Sequence, residues 1–269
     1  MTRPDILGII AGNGVYPKLL ADAGRKGGVK KIIAAAFTGE TDPILAQYVD
    51  SIEWMRVGQL SRLLKFFSEH NVHQAIMAGQ IAPKNLFDLR PDWKALLLLG
   101  KLKQRNAESI FAAIANELAG VDVELLPATT FLQESLACPG LIAGSRLSRS
   151  EEEDVDFGWK IAKEMARLDI GQTVIVKNGT VLAVEAFEGT NEAIRRGGAL
   201  AREAAVMVKV AKPNQDMRFD VPVIGVETMR VAADAKLRVI ALESEKTLLL
   251  EREEINKLAN RLGISIVAR

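Results

Sequence analysis

Residues 212–220 read Lys-Pro-Asn-Gln-Asp-Met-Arg-Phe-Asp, bringing Lys212, Gln215, Asp216, Arg218 and Asp220 into one short block. It separates an apolar run, Ala205 to Val210, from Val221-Pro-Val-Ile-Gly225. Pro213 has no amide hydrogen and a fixed φ, so a strand arriving from Ala205 ends there. If the block is extended, side chains alternate, and Asp216, Arg218 and Asp220 project to one side. Two carboxylates around a guanidinium, with a lysine nearby, suit phosphate together with a divalent cation. Magnesium is usually held by one or two carboxylates plus substrate phosphate oxygens, while Arg and Lys neutralise the remaining phosphate charge. The same residues equally suit a solvated turn whose aspartates cap helices and pair with Arg218.

Three other stretches have the composition of phosphate or nucleotide contacts. Gly12-Asn13-Gly14 follows an apolar strand, Ile6 to Ala11, and opens a helix from Tyr16 to Lys26. Glycines at such a turn let backbone amides approach phosphate, and the helix N-terminus favours the anion. Pro17 stands where a dinucleotide fingerprint has its third glycine, so a plain tight turn competes with an NAD reading. Gly79 and Gln80 close a strand at Gln74 to Ala78, the carboxyl end at which open α/β sheets place ligands. Glu188-Gly189-Thr190 precedes a helix bearing Arg195 and Arg196, either as free amides for phosphate or as a simple N-cap. His70 and His73 have no carboxylate or cysteine beside them at metal-ligand spacing and read as solvated loop residues. Cys138 reads as a small buried hydrophobe. Trp93 to Leu102 holds four consecutive leucines with lysines at its ends. It could meet acyl chains or a membrane surface, or form a helix buried on most sides.

The elements that must position these residues alternate. Strands are expected at Ile6–Ala11, Lys31–Phe37, Ile52–Val57, Gln74–Ala78 and Val121–Leu125. Helices are expected at Tyr16–Lys26, Pro43–Tyr48, Leu60–Phe67 and Ser109–Leu118, with a short one near Phe131. Alternation of this kind argues for a parallel, doubly wound sheet. Residues 138–150 are dense in Pro, Gly and Ser and read as a linker. After a helix at Glu151–Leu168, Asn178-Gly179 between two β-rich runs signals a type I′ hairpin. A strand to Val210, helices at Glu227–Ala235 and Glu253–Leu262, and strands at Arg238–Leu242, Thr247–Leu250 and Ile264–Val267 complete the chain. The expected architecture is α/β in two domains: a Rossmann-like parallel sheet over residues 1–135 and a mixed α/β catalytic domain over 136–269.

Composition narrows the class. The 269 residues are 48% hydrophobic and 26% charged, ordinary for a soluble protein of one large or two medium domains. A net charge of +1 gives no reason to expect nucleic-acid binding. One cysteine excludes an intrachain disulfide and fits a reducing compartment. No signal peptide is visible, and no apolar segment approaches the roughly 18 residues needed to span a bilayer. There is no P-loop, no Gly-x-Ser-x-Gly elbow and no Cys/His zinc constellation. Metal-and-carboxylate phosphate chemistry is what remains.

Several stretches together resemble the LpxI-type UDP-2,3-diacylglucosamine pyrophosphatase family. They are Gly8-Ile-Ile-Ala-Gly-Asn-Gly-Val-Tyr-Pro17, Met77-Ala-Gly-Gln80, Asp169-Ile-Gly-Gln172, Val184-Glu-Ala-Phe-Glu-Gly-Thr190 and Lys212 to Pro222 with Gly225. The resemblance spans nearly the whole chain, and its Lys-Pro-x-Gln-Asp-x-Arg-x-Asp block is the most specific part. It implies a cytoplasmic enzyme of lipid A synthesis that could sit peripherally at the inner membrane, with two domains and the site between them. Such an enzyme would hydrolyse UDP-2,3-diacylglucosamine to UMP and 2,3-diacylglucosamine 1-phosphate (lipid X) with a divalent metal, commonly magnesium. On that basis Asp216 and then Asp220 would hold metal or activate water, and Arg218 and Lys212 would hold the diphosphate. Gln215 would fix an oxygen, while Gly12, Asn13, Gly14, Gly79, Gln80 and the Glu188-Gly189-Thr190 turn would contact nucleotide or phosphate. Two departures from the family pattern are Asn191, where aspartate is usual, and Asn106-Ala107-Glu108, where an acidic pair is common. The competing readings are an NAD(P)-binding oxidoreductase and a non-catalytic nucleotide- or lipid-binding regulator.

Overall fold

A computed structural model of the chain describes residues 3–81, 91–103, 107–213 and 215–269, with the side chains of 107 and 108 left aside. The chain forms two compact units. The first comprises Met1–Leu132 together with Asp216–Asp220, and the second Gln133–Gln215 with Val221–Arg269.

In the first unit, strands β1 (Ile6–Ala11), β2 (Lys31–Phe37), β3 (Ser51–Met55), β4 (Gln74–Ala78) and β5 (Glu124–Leu125) form a five-stranded sheet ordered β3-β2-β1-β4-β5. Every pairing is parallel. That is the expected Rossmann-like arrangement, with the strand order reversing between β1 and β4. Helices α1 (Tyr16–Lys26), α2 (Leu60–Glu69), α3 (Trp93–Lys101) and α4 (Ala107–Ala119) accompany it. β1 and β2 are apolar and buried along nearly their whole length, as parallel strands covered on both faces must be. α1 starts where expected because a proline in its first turn needs no hydrogen-bond partner there. Pro43–Gln47 is a 3₁₀ turn rather than a full helix, opened by Asp42, whose side chain accepts from the Ile44 amide.

The second unit holds a six-stranded sheet ordered β6-β13-β11-β9-β7-β8, with a two-stranded parallel pair, β10 and β12. The six are β6 (Gly140–Ala143), β7 (Thr173–Lys177), β8 (Thr180–Val184), β9 (Ala205–Lys209), β11 (Leu237–Leu242) and β13 (Ser265–Ala268). The pair is β10 (Val223–Ile224) and β12 (Leu248–Leu249). β9, β11 and β13 run parallel, while β6 and β7 pair antiparallel with their neighbours. Alternation sorts the side chains between two cores. Ile175, Met207, Ile240 and Ile266 face one side, and Val174, Val206, Val208, Val239 and Val267 the other. α6 (Thr190–Ala201), α7 (Val226–Asp234) and α8 (Arg252–Leu262) supply apolar residues to the first core, and α5 (Arg149–Arg167) to the second. The Asn178-Gly179 turn has φ of 50° and 69°, as a type I′ hairpin demands. The buried Asp154 carboxylate of α5 accepts from both of its amides, at 2.8 and 2.7 Å.

The expectations for residues 138–150, Cys138 and His70 change, while the solvated reading of His73 holds. Residues 138–150 are not a free linker: Gly140–Ala143 pairs with β13, and Ser148 opens α5 through a capping box with Glu151. The Gly, Pro and Ser residues there mark a strand edge and a helix start. Cys138 is exposed, its Sγ 3.9 Å from the Arg252 guanidinium. His70 is half-buried at the end of α2, its ring 4.5 Å from that of Phe66 and its Nε2 3.2 Å from Ser51 Oγ. His73 is exposed and meets the Asp122 carboxylate at 3.1 Å. The four-leucine helix, α3, buries Ala95 and Leu98 but leaves Trp93, Leu96 and Leu97 exposed.

Candidate active site

At the switch point of the first sheet, the loops after β1 and β4 are bound to each other. Gly12 N donates to Ala78 O at 2.7 Å, Asn13 N to Gln80 O at 2.6 Å, and Gln80 N back to Asn13 O at 3.2 Å. A Cβ at Gly12 would lie 2.5 Å from Gln80 O, and one at Gly79, whose φ is +92°, would lie 2.5 Å from Asn13 O. These two glycines therefore serve backbone-to-backbone contact. The amides of Gly12 and Asn13 are spent on it, leaving Gly14, with open space around it, as the turn residue that faces outward. A hollow of about 120 Å³ begins there, lined by Gly14, Val15, Pro17 and Lys18 on one side and Thr41, Asp42, Ile44 and Leu45 on the other. A larger one, about 550 Å³, opens at the opposite end of the strands near Asp5, His73 and Glu124. Ligands of parallel sheets bind outside the carboxyl ends, so the smaller hollow is the relevant one.

The segment Asp216–Asp220 joins this unit from the far end of the chain. Met217 O accepts from Ala128 N at 2.7 Å. Ala128 O in turn accepts from the Tyr16 hydroxyl at the start of α1. Burial pushes the Tyr16 phenol upward, keeping it a neutral donor. Phe219 packs on the core of the unit, its ring 5.6 Å from that of Phe111. A path of two hydrogen bonds thus ties the acidic segment to the helix that follows the glycine turn.

The segment is a turn, which corrects the extended reading. Phe219 N and Asp220 N both donate to Asp216 O, at 3.2 and 3.0 Å. Asp216, Arg218 and Asp220 therefore do not alternate along a strand. Instead Arg218 grips Asp216 with its Nε at 2.9 and 3.1 Å and an Nη at 2.6 Å, while Arg218 N donates to Oδ1 at 3.0 Å. These bonds outweigh partial burial and hold the Asp216 carboxyl below its ordinary range. The guanidinium is raised in return. Among the described residues no group of three or more His, Cys, Asp or Glu stands together as a metal cage. The donor set of the turn, two carboxylates, is of the kind that shares magnesium with phosphate oxygens.

The second unit carries the rest. Lys212 Nζ reaches Asp169 Oδ1 at 2.5 Å, joining two blocks forty-three residues apart. Gln215 Oε1 accepts from Lys212 N at 2.7 Å, while its buried Nε2 finds no partner among the described residues. Backbone hydrogen bonding, its own amide first, and then the pairing with Arg196 hold the Glu188 carboxyl below its ordinary range. Gly189, at φ 85°, starts α6 without a side-chain cap.

Two groups here escaped the sequence reading. Lys209, 4% exposed, donates from Nζ to Thr190 Oγ1 at 2.6 Å, and Thr190 donates to Glu185 Oε1 at 2.8 Å. Glu185 is itself 8% exposed. The signal was present: a lysine closing the buried run Ala-Val-Met-Val-Lys209, and a glutamate directly after Val-Leu-Ala-Val184. Charges buried at strand ends are costly and persist where they are paired. The second group is Glu243, after β11. Burial works to raise its carboxyl, but Lys163 at 2.5 Å, Lys246 at 2.9 Å and the Ala211 amide at 2.8 Å outweigh it, and the result is a lowered one. Lys209, Glu185 and Glu243 all lie at the end of the sheet where β9 and β11 finish. Asn191 is the second residue of α6, and position 106 lies outside the described residues.

A Rossmann-ordered parallel sheet and a second, mixed sheet, with polar side chains at strand ends, define a two-unit α/β protein of the ligand-handling kind. Residues 6–135 match the LpxI N-terminal domain and residues 138–267 the LpxI C-terminal domain. Over 276 aligned residues the chain is 30% identical to the UDP-2,3-diacylglucosamine pyrophosphatase LpxI of Caulobacter vibrioides, covering 97% of this chain and 96% of that protein. The chain belongs to the LpxI family.

Proposed function

We propose that the protein hydrolyses the diphosphate of UDP-2,3-diacylglucosamine, releasing UMP and 2,3-diacylglucosamine 1-phosphate, as a step of lipid A synthesis in the cytoplasm. The observation that carries the proposal is full-length likeness to a protein named as a UDP-2,3-diacylglucosamine pyrophosphatase, together with the Lys212–Asp220 block of this chain. In the reaction a water oxygen bonds to one phosphorus, the bridging P–O bond breaks, and the leaving phosphate departs as an anion. Such a reaction needs charge neutralised on two phosphates and an aligned water.

Asp216 is assigned the first role toward the attacking water, with Asp220 beside it in the same turn. Arg218, already anchored by Asp216, neutralises diphosphate charge at a fixed position, so little side-chain freedom is lost when substrate arrives. Asp216 and Asp220 would hold magnesium jointly with phosphate oxygens, and the bound cation would add charge neutralisation and orient the water. Gly14, Gly79 and Gln80 are assigned to the nucleotide side through the loops at the strand ends. Lys212, Glu188, Gly189 and Thr190 are assigned to substrate binding, and Gln215 to a phosphate oxygen. The buried Gln215 Nε2, without a partner among the described residues, supports that last assignment, because a buried amide hydrogen left idle is expensive.

The test is direct. Purified protein is incubated with UDP-2,3-diacylglucosamine and magnesium, with and without chelator, and UMP is measured by chromatography. UMP release that the chelator abolishes supports the reading. Absence of UMP at any magnesium concentration rejects the hydrolase, and release unaffected by chelator rejects the metal.

A further inference from the structure

The apolar side of α3 that faces solvent has no role in the chemistry above. Positions 93, 96, 97 and 100 share one helical face, and Lys101 continues its row at four residues beyond Leu97. Trp93 is 74% exposed, Leu96 49% and Leu97 48%, whereas Ala95 and Leu98 on the opposite side are each 8% exposed. The helix is rigidly seated: Asp92 caps it by accepting from Ala95 N at 2.9 Å and also from Ser61 N at 2.7 Å. The outward apolar face is therefore held in place by the core beneath it. Lys94 is paired with Glu117 at 2.9 Å. Lys101 and Lys103 are exposed, and neither has an acidic partner among the described residues.

We propose that this face docks on a lipid bilayer carrying anionic headgroups. A tryptophan and leucines on one face, rimmed by exposed lysines, is the make-up of helices that lie in the membrane interface. The rim supplies charge complementarity: the lysines keep their ammonium groups at the headgroups while the apolar side chains dip below. A second copy of the chain fits less well. A twofold contact through this face would bring the same residues together, and positions 93, 96, 97, 100, 101 and 103 include no carboxylate to meet Lys101 and Lys103. The proposed substrate is diacylated and so would be met at a bilayer, but docking is read without substrate and stands or falls separately from hydrolysis.

Flotation of the full chain tests it, with vesicles of phosphatidylethanolamine and phosphatidylglycerol against vesicles of phosphatidylcholine alone. Wild-type protein should float with the first and much less with the second. The double variant Leu96→Gln/Leu97→Gln keeps helix propensity and should lower partitioning roughly tenfold. Lys101→Glu/Lys103→Glu should remove the preference for phosphatidylglycerol, at roughly fivefold per lysine. Thermal midpoints within a few degrees of wild type establish that both variants are folded. The proposal is overturned if wild-type protein stays at the bottom of the gradient with phosphatidylglycerol present, or if the leucine variant floats like wild type. A dimer in sedimentation that the leucine variant abolishes would assign the face to a second copy.

Discussion

Replacing Lys209 by methionine puts the buried polar chain of the second unit to a quantitative test. Methionine is close in length to the lysine stem, so packing is nearly kept while the ammonium is lost. What remains is the Glu185 carboxylate, 8% exposed, with the Thr190 hydroxyl at 2.8 Å and the Gln172 amide at a long 3.4 Å. Lys209 and Glu185 are joined through the Thr190 hydroxyl, so removing the ammonium leaves a buried carboxylate less compensated, at a cost approaching the roughly 3–5 kcal/mol of a broken buried pair. For a unit of this size each kcal/mol moves the thermal midpoint by roughly 3–5 °C, so a fall of roughly 10–20 °C is expected. Thr190→Val removes the bridging hydroxyl and should cost less, about 1–3 kcal/mol. The double variant Lys209→Met/Glu185→Gln removes the Glu185 charge as well and should recover much of the loss, giving a coupling of about 2 kcal/mol in a double-mutant cycle. Urea unfolding followed by Trp159 fluorescence reads the second unit, since that residue packs on its core. A Lys209→Met variant within about 1 kcal/mol of wild type would refute the reasoning, as would a double variant no more stable than the single.

Four further outcomes are expected. Asp216→Ala should fold yet lose at least about a hundredfold in turnover of UDP-2,3-diacylglucosamine, and near-normal UMP release would reject the assignment. A carboxyl-carbon NMR titration should place Asp216 below 3.8, the direction set by Arg218. Arg218→Gln should return it upward, and the turn should loosen in wild type as pH falls through the depressed value rather than at neutral pH. Lys163→Met should destabilise at pH 7, where Glu243 is charged, and the gap from wild type should close as acid protonates that carboxyl; a gap constant with pH would show that the ion pair is not its source. Gly79→Ala should cost more than Gly39→Ala. Both have positive φ, but a Cβ at 79 meets Asn13 O at 2.5 Å whereas one at 39 meets nothing within 4 Å, so equal thermal midpoints would contradict the close contact.

Local signals carried the framework. β1, α1, β2 and β4 lie at the residues expected of them, because glycine turns, a proline in the first helical turn and apolar runs act over a few neighbours. The hairpin at Asn178-Gly179 follows from two residues that tolerate positive φ. The Lys212–Asp220 block drew attention by composition and did bring Asp216 and Arg218 together. Even so, its turn geometry could not be told from an extended one. The choice rests on Phe219 finding Phe111 and Met217 finding Ala128, partners about a hundred positions upstream.

The amino-acid order by itself determined the class of the fold, the alternation of elements and the family, since each is written in patterns that neighbouring residues complete. Tertiary structure alone decided that Asp216–Asp220 returns to the first unit, that Gly12 and Gly79 exist for each other, and that Lys209, Thr190 and Glu185 form one buried chain. Those facts depend on which strand ends lie side by side. A charge buried there shows its partner only when the sheet has closed around both.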